Sequence, residues 1–198
     1  LLFLLDNVYK GNNDINALLD LSVKQLSDLA PDAYYMNHIT NHDRNSWDGT
    51  EFERYGKAVK SFAVMTYVWP GMPLIYTGQE VGLNRRLEFF VKDTPPTKEK
   101  NEWFEFYQSL NTLKHNSKAL RAGDEGGNTI IYKTTEPNVF VLSRELDKET
   151  ILYIANISDK DVKFHFNELA PEGEFENFFT KEKLLLPAEL SLSPWDFI

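Results

Sequence analysis

Apolar residues recur along the chain with two different periods, and the switch between them falls near residues 121–127. Before that point they return every three or four positions. LLFLLDNVYK predicts a helix over residues 1–10 that stops where Gly11, Asn12 and Asn13 break the pattern. Asp14 is placed to cap a second helix, INALLDLSVKQLSDLA, which ends before Pro31. DAYYMNHIT predicts a strand ending near Thr40, and NHDRNSWDGT is a polar loop. In EFERYGKAVKSFAVMTYVW, the residues Phe52, Tyr55, Val59, Phe62, Ala63 and Thr66 keep the spacing of an amphipathic helix, which Pro70-Gly71 stops. MPLIYTG predicts a second strand, with QEVGLNRR as its exit loop. A last helix, from about Lys98 to Lys118, sets Trp103, Phe106, Tyr107, Leu110 and Leu113 on one face. Helices alternating with strands predict a parallel sheet with right-handed crossovers.

After RAGDEGGNT the period becomes two. NTIIYK, NVFVLSRE, TILYIANI and DVKFHF are short segments divided by the turn clusters TTEPN, LDKE and SDKD. In the last of them Val162, Phe164 and Phe166 face one way, Lys163 and His165 the other. An antiparallel β module with one buried face is expected. The predicted fold class is therefore α/β over residues 1–121, followed by an all-β unit over 122–198.

Composition narrows the picture in three places. Of the 198 residues, 42% are hydrophobic and 14% aromatic, enough for a sizeable core rather than a disordered chain. The net charge of −9 argues against nucleic acid or an anionic membrane as partner and leaves neutral ligands such as sugars open. There are no cysteines, which excludes disulfides and thiolate chemistry and leaves the compartment open. The opening LLFLLD is apolar for five residues without a basic flank, which suits neither a signal peptide nor a membrane span. It reads like the middle of a helix, and so suggests part of a longer protein.

Candidate chemistry sits at the strand ends. Asn41-His42-Asp43 follows the first predicted strand and Gly78-Gln79-Glu80 the second, the rim that carries function in parallel α/β architectures. An aspartate and a glutamate on one rim could serve acid–base chemistry. The same residue types are also common in turns, and a loop glutamate is usually solvated. His115 near the end of a helix and His165 on a polar strand face need no functional role, and no His/Asp/Glu spacing suggests a metal site.

Taken together, ITNHDR, a helix, then PGMPLIYTGQEVG resemble the α-amylase family of glycoside hydrolases. NHDRNSWDGTEFERYG and RLEFFVKD are especially similar to its neopullulanase-like and cyclomaltodextrinase-like members. The resemblance covers nearly the whole chain and implies strands seven and eight of a (β/α)8 TIM barrel with their flanking helices, then a C-terminal antiparallel β-sandwich. It implies an α-glucan or maltooligosaccharide ligand. His42 would bond hydroxyls of the sugar at the cleavage point, and Asp43 would stabilise the transition state through the 2- and 3-hydroxyls. Asn41 would shape the loop. Trp47 would either stack on a sugar face or anchor the strand to its helix. Arg44 departs from close relatives and receives no catalytic role. By the same resemblance the nucleophile, the acid–base glutamate and the Asn-His pair after strand three lie upstream. Asn37-His38, expected inside a strand, is no substitute for that pair. No cofactor is implied for these residues, and calcium ligands of the parent enzyme would come from elsewhere in the barrel. Two other readings stand beside this one: a non-catalytic α-glucan-binding or assembly module, and a self-contained hydrolase pairing Asp43 with Glu80. The open barrel edge would favour self-association.

Overall fold

A computed structural model of the chain describes residues 1–30, 33–95, 99–167 and 169–198. The expected strand start at Asp32, the helix stop at Pro31 and the helix start at Lys98 lie outside the described residues. The helices are α1 (Leu2–Tyr9), α2 (Ile15–Asp28), α3 (Glu51–Tyr55), α4 (Val59–Val68) and α5 (Glu102–Asn116). As expected, Asp14 caps α2, its side chain accepting from the Asn16 N–H at 2.9 Å.

The helix expected over residues 51–69 is two helices joined by the 3-10 turn Gly56–Ala58. A capping box starts the first: the Thr50 hydroxyl accepts from the Glu53 N–H, and the Glu53 carboxylate accepts from the Thr50 N–H. Gly56, at φ +47°, ends it. Nor is α4 amphipathic. Val64, Met65, Tyr67 and Val68 are buried along with the expected Phe62 and Ala63, because the β module covers the face that a surface helix would leave to water. Asn101 caps α5 by accepting from the Trp103 and Phe104 N–H groups, and α5 turns Phe106, Tyr107 and Leu110 inward.

Strands β1 (Met36–Asn37) and β2 (Met72–Pro73) form a parallel pair, Met36 opposite Met72. Both are far shorter than their apolar runs. The ladder rests on the Met72 N–H to the Tyr35 carbonyl at 2.9 Å and the Leu74 N–H to the Asn37 carbonyl at 2.8 Å. Among the described residues no third strand flanks either one, and Met36 and Met72 remain exposed. Gly71 makes the approach possible. It sits at φ +124°, and a Cβ there would stand 2.3 Å from the Tyr35 carbonyl oxygen.

The remaining strands are β3 (Asn128–Tyr132), β4 (Val139–Leu146), β5 (Glu149–Asn156), β6 (Val162–Phe164), β7 (Glu174–Glu176), β8 (Lys183–Leu185) and β9 (Leu190–Leu192). The antiparallel sheet β3-β4-β5 and the pairs β6-β9 and β7-β8 account for all of them. The expectation of a single buried face fails for the central sheet. Phe140 and Leu142 of β4 pack with Phe62, Met65 and Trp69, while Val139 and Val141 pack with Phe164, Leu190 and Leu192. The sheet is thus the middle layer between α4 and the β6-β9 pair, and the helical core runs into it without a break.

Arg144 closes the join. It is 2% exposed and donates to the carbonyls of Val68, Arg121 and Gly127, with no carboxylate among these partners. Burial pulls its pKa down to about 10. Lys114 caps the same, C-terminal end of α4, its Nζ donating to the Tyr67 and Gly71 carbonyls.

Candidate active site

Asn41, His42 and Asp43 follow the carboxyl end of β1, where the chain makes a helical turn that widens into a single π-turn, Arg44–Asp48. Such turns are uncommon and recur at functional sites. Asn41 starts the turn: its Oδ1 accepts from the Arg44 N–H at 2.8 Å, and its carbonyl from the Asn45 N–H at 2.9 Å. Its amide nitrogen lies 3.4 Å from His38 Nε2. The side chains of His42 and Asp43 then stand in solvent, 67% and 57% exposed, with His42 Nε2 and Asp43 Oδ1 3.6 Å apart.

The turn is pinned from behind by charge. Asp6 of α1, only 7% exposed, accepts from both Arg44 and Arg54. Burial alone would raise its carboxyl, but bonds from Tyr55, Arg54 and Arg44 outweigh that and hold it below the usual carboxylate range. Arg54 also donates to the Ile39 carbonyl at 3.0 Å, and Arg44 reaches Asp48 at 2.6 Å. Arg44 is therefore a strut behind the turn that carries Asp43.

His38 corrects the sequence reading. β1 ends at Asn37, so His38 stands just beyond the strand and lines the same cavity, about 480 Å³, as Asn41, Asp43 and Trp47. Burial lowers its pKa, and its Nδ1 is enclosed without a hydrogen-bond partner. The second strand end behaves differently. Gln79 is buried, its amide oxygen accepting from the Tyr76 N–H and its nitrogen donating to the Tyr107 hydroxyl at 2.7 Å. Glu80 lines a cavity walled by Tyr107, Asn111 and His115 of α5. Asp43 and Glu80 thus line different hollows. Glu51, buried at 2% exposure, has its pKa raised to about 7, chiefly by burial and then by Glu80, against its own N–H and Arg54.

Trp47 is 59% exposed and does not anchor β1 to a helix. Its neighbours are Phe89 and Phe90, at 5.5 and 5.9 Å between ring centres. These come from the loop over residues 83–94, which folds onto the π-turn. The amide of Asn45, 3% exposed, accepts from the Leu87 N–H at 2.7 Å and donates to the Arg85 carbonyl at 3.4 Å. Ser46 donates to the Leu87 carbonyl at 2.6 Å, Thr50 to Asn84, and Arg86 to Glu53. Arg85 clamps Asp93 with two bonds of 2.9 and 3.1 Å. Phe89 then stacks on His42, ring centres 5.8 Å apart. The contribution of Phe89 and Phe90 was missed in the sequence. The available signal was two adjacent aromatics bracketed by Arg85 and Asp93.

An apolar hollow of about 300 Å³ lies elsewhere, between Val64, Leu110, Tyr153 and Phe179, and shares no wall with this rim. Among the described residues no group of three or more His, Asp or Glu side chains is placed to hold a metal ion. No described helix is long and apolar enough to cross a membrane.

No family model matches the sequence, and no curated protein matches it. Solved structures do. A maltogenic α-amylase of Thermotoga neapolitana superposes with a TM-score of 0.75 at 17% identity, over 96% of this chain and 44% of its own. An α-amylase from Lactobacillus plantarum gives 0.72 at 18% identity, over 96% and 43%. The α-amylase of Geobacillus thermoleovorans, solved with acarbose, gives 0.67 at 16% identity, over 93% and 42%. The chain therefore spans less than half the length of these structures while sharing their fold over nearly all of its own.

Proposed function

We propose that this chain is the C-terminal portion of a retaining α-glucan hydrolase of the α-amylase family. Residues 1–121 would supply the last two strands of a (β/α)8 barrel with their flanking helices, and residues 122–198 the sandwich that packs beneath it. The observation that carries this reading is Asn41-His42-Asp43 at the carboxyl end of a parallel strand, in a fold shared with solved α-amylases.

Asp43 acts as the stabiliser of the transition state. Its exposed carboxylate accepts from the 2- and 3-hydroxyls of the sugar at the cleavage point, and these bonds tighten as positive charge develops on the ring. An interaction that strengthens only then lowers the barrier rather than merely binding substrate. His42 donates to a hydroxyl of the same sugar, held at its angle by Phe89. Asn41 fixes the turn that carries both.

A retaining mechanism needs a nucleophile and an acid–base carboxyl about 5 Å apart. Glu80 lines another cavity and does not supply that partner to Asp43. By itself the chain is expected to bind maltooligosaccharides without cleaving them. Calcium, where the longer enzyme uses it, would be ligated by other residues. The exposed side of the β1-β2 pair, with Met36 and Met72, is the face for the rest of the barrel or for self-association.

The test uses the chain and the longest natural polypeptide that contains it, each assayed on starch and maltoheptaose. The chain should release no product. The longer polypeptide should, and Asp43→Asn within it should lower kcat by about a thousandfold or more, with a much smaller change in KM. Full turnover in that variant would refute the role of Asp43. Sugar binding without turnover in the longer polypeptide would bring forward the non-catalytic binding module.

A further inference from the structure

His38 is a half-buried histidine to which the proposed chemistry gives no part, yet it lies against the residue that starts the Asp43 turn. Two contacts of Asn41 fix the state of its ring. Asn41 Oδ1 accepts from the Arg44 N–H at 2.8 Å, and a backbone N–H can only donate, so the oxygen branch of the amide faces Arg44. The nitrogen branch then faces His38, 3.4 Å from Nε2. An amide NH2 also only donates, so Nε2 has to accept and carries no hydrogen. A neutral imidazole has one N–H, which is thereby assigned to Nδ1.

The surroundings favour that neutral ring. Burial disfavours a second proton most strongly, and the N-terminal amine of the chain, Arg54 of α3 and Arg44 of the turn disfavour it further, while the Met36 carbonyl acts the other way. The carboxylates near by are engaged with other groups: Asp6 with both arginines, Asp48 with Arg44, and Asp43 beside His42.

We infer that His38 is a positioning residue: its bare Nε2 holds the Asn41 amide in the orientation that starts the turn carrying His42 and Asp43, and protonation of His38 releases that turn. A proton on Nε2 sets one N–H against another across the 3.4 Å contact. Rotating the amide by half a turn would offer Oδ1 to the imidazolium, but would take it from the Arg44 N–H. The two donors lie on opposite branches of one amide, so its single oxygen serves one of them. A bond from a charged ring is the stronger, so in acid the Arg44 N–H loses its acceptor. His42 and Asp43, which follow Asn41 directly, then lose the fixed start of their turn. The inference rests on the function proposed above only for this consequence at the sugar; the state of the ring and its link to the turn are independent of it.

The test is nitrogen-15 NMR of the full 198-residue chain, from about pH 8 to about pH 4.5. At the upper end, two-bond proton–nitrogen correlations should show His38 with a bare Nε2 and a hydrogen on Nδ1. The ring should titrate below the ordinary histidine value, and the signals of the Asn41 side-chain amide and the Arg44 N–H should move with it. Over the same step the hydrogen-exchange protection of Arg44, corrected for the intrinsic rate, should fall about tenfold, the worth of one hydrogen bond. His38→Gln keeps an acceptor near the place of Nε2 and cannot take up the proton, so protection of Arg44 should persist and lose its pH dependence. His165→Gln, in the β module, is the control and should leave the pH dependence at Arg44 as it was. Far-ultraviolet circular dichroism separates a lost turn from lost folding, and the ring state of the unmodified chain is a test that needs no variant.

A hydrogen on Nε2 of His38 at the upper end of the range would overturn the inference. So would a titration of His38 that leaves Arg44 protected, or an acid loss at Arg44 that persists in His38→Gln. Each of these results leaves the role of Asp43 standing, which the turnover of Asp43→Asn decides. Full turnover in that variant would remove the sugar from the account and leave the coupling of His38 to the turn intact.

Discussion

Two sheets in this molecule carry very different loads. β4 and β5 pair over eight residues each, and β4 is buried on both faces between α4 and the β6-β9 pair. β1 and β2 pair over two residues each, with Met36 and Met72 still in water. Yet the candidate chemistry hangs from the weaker pair. Its geometry therefore comes from side chains rather than from the ladder: the charged knot of Asp6, Arg44 and Arg54 behind the turn, and the amide of Asn45 beside it. A rim built this way can be loosened without unfolding the sheet that stabilises the whole.

The largest effect should come from the strong side. Phe140 is fully buried and stacks on Trp69, so Phe140→Ala should cost about 3–5 kcal/mol. Because its core includes α4, urea unfolding followed by tryptophan fluorescence and by far-ultraviolet circular dichroism should shift together. Separate transitions would show that the helical part and the β module are independent, as a domain boundary near residue 121 predicts.

Asp6→Asn should come next. It removes the carboxylate that Arg54 and Arg44 share, leaving Arg44 with Asp48, and should cost about 3 kcal/mol. The sign with pH follows from the lowered carboxyl pKa of Asp6. Its stabilisation is complete above the unfolded carboxyl value and disappears as pH falls through the lower folded value. The unmodified chain should therefore lose stability on acidification below about pH 4, and Asp6→Asn should lose less over the same range. Parallel urea midpoints at pH 3 and pH 6 for the two chains would disprove this account of the knot.

Asn45→Ala should have the smallest effect on stability, about 1–2 kcal/mol, and the most local one. Hydrogen exchange at the Leu87 amide should speed up while amides of β4 keep their protection. Uniform acceleration through the chain would mean that the rim and the central sheet open together.

The same contrast explains what the sequence disclosed. Period-two alternation located β4, β5 and β6 because those strands are half or fully buried over several residues. β7, β8 and β9 escaped because each has three residues and, unlike β6 with Phe166 beyond it, no third apolar position in alternation. The apolar runs at DAYYMNHIT and MPLIYTG promised long strands, but strand length depends on neighbours, and here each strand has one. Phe62 and Ala63 were legible as a buried face of α4. Burial of Met65 and Tyr67 was not, since only the distant β module decides it. At the site, position after a strand was enough to single out Asn41, His42 and Asp43. His38 was misplaced with the overlong strand, and Phe89 and Phe90 come to Trp47 only through bonds between two loops 40 residues apart.

Arg144 has a consequence for anyone recombining this scaffold. The change of grammar near residues 121–127 is the obvious seam for exchanging the β module with that of another protein of this fold. The three carbonyls this guanidinium holds belong to α4, to the seam and to the start of the β module. A chimaera cut there inherits the arginine from one parent and the Val68 carbonyl from the other. Successful crossovers should therefore cluster between parents that share this lock, and a graft lacking the arginine should need another donor for all three oxygens.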